Sequence, residues 1–76
     1  MPINEWENLA NAIVVQATKD YRKALKVLKR DPDNKVQQGK IEELENFFYS
    51  QWYEGLTRVN ADYILEHIRE EEGYDA

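Results

Sequence analysis

The stretch Leu44 to Leu56, LENFFYSQWYEGL, constrains this chain more than any other. Five of its nine aromatic residues, Phe47, Phe48, Tyr49, Trp52 and Tyr53, fall within seven consecutive positions. Neighbours on a helix point about 100° apart, so Phe47, Phe48 and Tyr49 cannot share one core-facing stripe. Either other helices wrap the segment on several sides, or part of it faces outward as a binding surface. Ser50, the only serine, stands where a side-chain cap would divide the segment into two helices. A kink there re-aims Trp52, Tyr53 and Leu56 relative to Phe47 and Phe48, which is one way to bury such a run.

The rest of the chain is helical by periodicity. Trp6, Leu9, Ala10, Ile13, Ala17, Tyr21, Ala24, Leu25 and Leu28 recur at three- and four-residue spacing without an interrupting glycine or proline. This predicts one helix over about 4–30, with Asn4 as N-cap, Glu5 and Glu7 in its first turn and Lys26, Lys29 and Arg30 near its end, as the helix dipole favours. DPDN at 31–34 breaks it, because Pro32 disfavours helical geometry at Asp31. Asn34 and Gln37 form a capping-box pattern that opens a helix over about 34–49, weakened by Gly39. A short helix follows over about 51–56. Asn60 caps a last one over about 60–71, built on Ala61, Ile64, Leu65 and Ile68 and expected to fray at Glu70, Glu71 and Glu72, which sit at the wrong end of the dipole. Gly73 stops it, and 72–76 is expected to be a mobile tail. The fold class is therefore all-α: a small three- to four-helix single domain over 1–76, with one long N-terminal helix packed by a broken helical hairpin and a closing helix.

Seventy-six residues give one domain of modest stability, roughly 4–11 kcal/mol on the usual per-residue scale. The absence of cysteine excludes disulfides and thiolate metal sites. No apolar run is long enough to span a bilayer and MPINEWEN is acidic, so no secretory signal is read, and a soluble cytoplasmic protein is expected. The net charge of −5 conceals segregation: residues 19–40 balance at +5 and residues 41–76 at −8. Such a pattern reads either as an internal complement between packed helices or as two outer faces of opposite sign.

Chemistry finds little footing. Ser50 and His67 are the only residues of their kinds, and no nucleophile elbow or glycine-rich turn surrounds Ser50. His67 with Glu70 or Glu71 offers two metal ligands where a site wants three or four, and residue 64 is Ile64 rather than the glutamate of a di-iron pair. Glu42, Glu43 and Glu45 read as a solvated face, since a domain of this size has little room for the cleft that acid–base work needs. No enzyme, no metal and no cofactor is expected.

Binding is left. Seven residues are Trp or Tyr, the types that most often anchor interfaces. Trp6, Phe47, Phe48 and Trp52 are expected to be mainly core. Tyr49, Tyr53 and Tyr63, whose hydroxyls tolerate water, are the candidates for exposure beside Glu54, Asp62, Glu66 and Glu70 on an acidic protein-binding face. Lys19, Arg22, Lys23, Lys26, Lys29 and Arg30 form a basic stripe that could instead track the phosphates of a nucleic acid or an anionic nucleotide. The surplus aromatics could also pack against a second copy in a homo-oligomer.

The segments AIVVQATKDYRKAL, LENFFYSQWYEGLT and YILEHIRE together resemble a family of short phage and mobile-element proteins of Gram-positive bacteria that has no assigned activity. The likeness covers nearly the whole length, and its most specific part is FFYSQWYEGLT. It carries over no functional residue. It implies an accessory protein that occupies a surface of a host machine or of a defence system such as a CRISPR nuclease. Combined with the residues, it gives the expectation of a non-enzymatic binder that inhibits or redirects such a protein through the acidic, aromatic surface.

Overall fold

The computed structural model describes residues 5–73 and consists of four helices: α1 (Glu5–Arg30), α2 (Lys35–Phe48), α3 (Gln51–Leu56) and α4 (Ala61–Glu71). Among the described residues there is no strand. The fold is the expected all-α arrangement, with the broken hairpin α2–α3 and the closing helix α4 gathered along α1. Asn4, the expected cap of α1, and the tail residues Tyr74, Asp75 and Ala76 lie outside the described residues.

The turn chemistry follows the sequence. Asn34 caps α2 by accepting from the Gln37 N–H at 3.1 Å, while the Gln38 side chain donates to the Pro32 carbonyl at 2.7 Å and braces the DPDN turn. Ser50 divides the aromatic segment: its hydroxyl donates to the Phe47 carbonyl at 2.6 Å and accepts from the Tyr53 N–H at 3.3 Å, ending one helix and starting the next. Asn60 caps α4 through the N–H groups of Asp62 and Tyr63.

The core collects on one side of α1, where Ala17, Tyr21 and Leu25 meet Phe48, Tyr53, Leu65 and Ile68. Phe48 is its centre. Its ring meets Tyr21 edge-on at 6.2 Å, Phe47 at 5.4 Å and Tyr53 at 5.4 Å, and Phe47 also meets Tyr53 edge-on at 6.0 Å. Such edge contacts let the positive rim of one ring face the negative face of the next. The kink at Ser50 thus turns Phe48 and Tyr53 inward, leaves Phe47 half-buried and turns Tyr49 and Trp52 outward.

Three expectations about the aromatic residues are corrected. Trp6 and Trp52 are exposed rather than core, and Tyr53 is buried rather than exposed. At about 1.5 Å per residue the 26-residue α1 is about 39 Å long, far longer than the 11-residue α4 that covers its C-terminal half. Among the described residues, the N-terminal half, with Trp6, has α3 and the end of α2 beside it. Tyr53 takes the inner place because its hydroxyl finds the Val59 carbonyl at 2.8 Å, which satisfies its polar end and ties down the α3–α4 connection. The C-terminal end of α4 is docked rather than frayed: Arg22 pairs with Glu71, and the Lys29 ammonium donates to the Glu72 carbonyl at 3.0 Å. Gly73, at φ +67°, terminates the helix by donating from its N–H to the Glu70 carbonyl at 3.1 Å. Residues 72 and 73, which fall within the expected tail, carry these two hydrogen bonds.

Gly39 lies inside α2 with nothing within 4 Å of where a Cβ would stand. Gly39→Ala is expected to stabilise the protein by about 0.5–1 kcal/mol, raising the melting temperature by several degrees. Thermal unfolding followed by circular dichroism checks this, and a lower melting temperature would contradict it.

Candidate protein-binding face

The acids after residue 40 fall into two groups. Glu45, Glu71 and Glu72 turn towards cations of the domain itself. The Glu45 carboxylate accepts from the Tyr21 hydroxyl at 2.8 Å and from Arg69 Nη2 at 2.5 Å, and Arg69 Nε donates to the Tyr21 hydroxyl oxygen at 3.0 Å. This knot joins α1, α2 and α4 at the edge of the core. Burial, and after it the Glu45 hydrogen bond, push the Tyr21 hydroxyl up to about 12. Burial works to lower the Arg69 guanidinium, but the bonds to Tyr21 and Glu45 outweigh it and the net shift is upward. Sequence reasoning placed Glu45 on the solvated face with Glu42 and Glu43. The missed signal is that Ile41, Glu45 and Phe48 stand at i, i+4 and i+7, a line that runs along the inner face of α2.

The second group faces outward. Tyr63, Glu66 and Glu70 stand on one exposed side of α4, with His67 between them. The rings of Tyr63 and His67 are parallel to within 5° at 6.2 Å, and the His67 imidazole pairs with Glu71 at 2.5 Å. Beside this face, Tyr49 donates to the Asp62 carboxylate, and that bond is the main cause of a raised Tyr49 pKa. A groove of about 400 Å³ opens here, with Tyr49, Glu54, Arg58 and Asp62 on its walls and Phe48 and Tyr53 among its lining. The structure thus brings Tyr49, Glu54 and Asp62 together at the groove and sets Tyr63, Glu66 and Glu70 on the adjoining helix face. Tyr53, buried beneath, contributes the floor and no exposed surface; burial pushes its hydroxyl pKa up.

The basic stripe is split. Arg22 and Lys29 face α4 and are engaged by Glu71 and Glu72, which is the internal complement. Lys19, Lys23, Lys26 and Arg30, spaced four, three and four apart, form an exposed row on the far side of α1. Among the described residues, no group of three or more His, Asp or Glu side chains is placed to hold a metal ion. No helix among them is long and apolar enough to cross a membrane.

Compared with protein-family models, with curated proteins and with solved structures, the chain matches nothing in any of the three.

Proposed function

We propose that this chain is a non-enzymatic binding protein that docks on a basic surface of a host or defence protein, in the manner of an anti-CRISPR or other counter-defence protein. The observation that carries this reading is the pair of exposed tyrosines, each held by a neighbour: Tyr49 by Asp62 and Tyr63 by His67. A fixed aromatic side chain loses little conformational freedom on binding, so it suits an interface anchor. Glu54, Asp62, Glu66 and Glu70 around them supply a field that attracts a cationic partner and speeds its approach. The choice of a host or defence partner rests on the resemblance read from the sequence segments alone.

The test is affinity capture from a bacterial host lysate treated with nuclease, comparing the natural chain with the double variant Glu66→Lys, Glu70→Lys. A protein partner retained by the natural chain, lost by the variant and weakened by raised salt is the expected result. Capture that ignores both charge reversal and salt would dismiss the acidic face. The exposed row Lys19, Lys23, Lys26 and Arg30 favours a second reading, binding of nucleic-acid or nucleotide phosphates. Recovery that disappears with nuclease, and with Lys23→Glu and Lys26→Glu, would select it.

A further inference from the structure

The N-terminal half of α1 carries a second surface, which the acidic face does not use. Trp52 is 75% exposed, Trp6 55%, Leu9 54% and Ile13 39%. Two shallow grooves follow one another along this edge of α1. One, of about 340 Å³, lies between Trp6 and the α3 residues Trp52 and Leu56; the other, of about 290 Å³, lies between Ile13 and the α2 residues Leu44 and Phe47. Among the described residues Asp20 is the only charged one lining either groove, and it stands at the far end, accepting from Gln16 at 2.9 Å.

We infer that this seam is the contact between two copies of the chain, packed about a two-fold axis. Three features point to a second copy. An isologous contact needs a patch that complements itself, carrying both what protrudes and what receives. Here the Trp52 indole protrudes, and the groove beside Ile13 and Phe47 has room for a large side chain. The chain bears a net charge of −5, and this seam, with Asp20 as the one carboxylate among its described lining residues, sets fewer like charges together than the α4 face would. The area also fits. The four exposed side chains offer roughly 450–500 Å² per copy. Pairing therefore buries about 1,000 Å² before the rim is added, near the lower end for a specific interface. An interface of this size is expected to hold a reversible rather than a permanent dimer. Such a dimer presents two acidic faces at once, whatever those faces bind.

The experiment is sedimentation equilibrium of the full chain from roughly 1 μM to 1 mM, at low and high salt, with tryptophan emission recorded on the same samples. The mass is expected to rise from 9.0 kDa towards twice that value, with emission moving to shorter wavelength in step and with no loss of association at high salt. Trp52→Glu, at a position already exposed, should keep the helical circular dichroism and hold the mass at the monomer value throughout. Four results would overturn the inference. The first is a natural chain that stays monomeric with solvent-exposed emission, which leaves the seam for another protein. The second is a monomer with short-wavelength emission at every dilution, which means the seam is covered from within the chain. The third is a series of oligomers dissolved by salt, the mark of a head-to-tail contact between basic row and acidic face. The fourth is a dimer indifferent to both Trp52→Glu and Leu9→Glu.

Discussion

Replacing Phe48 with alanine is expected to cost about 3–5 kcal/mol, enough to unfold much of a domain whose whole stability is roughly 4–11 kcal/mol. Phe48 is 1% exposed and its ring touches Tyr21, Phe47 and Tyr53, so truncation removes a fully buried side chain shared by α1, α2 and α3. The cavity would open at the centre of the core, where the short helices have least freedom to collapse into it. Trp52→Ala, four residues later and in the larger side chain, is expected to cost under about 1 kcal/mol when measured on dilute monomer, because most of the indole never leaves water. Urea unfolding of both variants reads the contrast directly. Equal losses would mean that the kink at Ser50 does not sort the aromatic run into inward and outward members.

The second large effect belongs to the knot of Tyr21, Glu45 and Arg69. Arg69→Met leaves the Glu45 carboxylate half-buried with only the Tyr21 hydroxyl and removes the guanidinium that lies 6.0 Å from the Tyr21 ring centre. Breaking a fully buried ion pair costs about 3–5 kcal/mol. Here about a third of each side chain is exposed, so solvent screening reduces the expected loss to about 1–3 kcal/mol. Adding Glu45→Gln should restore part of it, since a neutral amide tolerates the vacated site better than an unpaired carboxylate. Losses that simply add would show that the two side chains do not interact.

The same knot predicts an alkaline limit. Tyr21 holds its proton more tightly folded, at about 12, than at its ordinary value of 10.0. Its contribution is therefore complete below pH 10 and disappears as pH rises from 10 towards 12. At about 1.4 kcal/mol per unit the upper bound is about 3 kcal/mol, and screening around the partly exposed pair lowers it. Tyr21→Phe should unfold with a shallower dependence on pH across that window. A residual slope is expected from Tyr49 and Tyr53, whose pKa values are also raised.

Local rules carried the sequence a long way. Helical spacing along α1, the break at DPDN, and the caps at Asn34, Ser50 and Asn60 are each written within a few residues. They needed no knowledge of what lies across the core. The expectation that Tyr49 and Tyr63 stand in water held for the same reason, since a phenol at the edge of an apolar stripe keeps its hydroxyl wet. The Tyr21–Glu45–Arg69 knot was less legible. Its members are 24 residues apart in sequence at each step, and only the packing of three helices sets their tips together.

Hydrophobicity alone placed Trp6 and Trp52 in the core and Tyr53 at the surface, and the tertiary structure reversed all three. How deeply a side chain is buried depends on how far the opposing helix reaches. An 11-residue α4 cannot cover the apolar edge of a 26-residue α1 from end to end. The sequence by itself determined the helices, their breaks and the segregation of charge, because those follow from torsional preference and spacing. Only the tertiary structure decided which aromatics are core and which are surface, and which charges are spent inside the domain, because both depend on the relative lengths and docking of helices far apart in the chain.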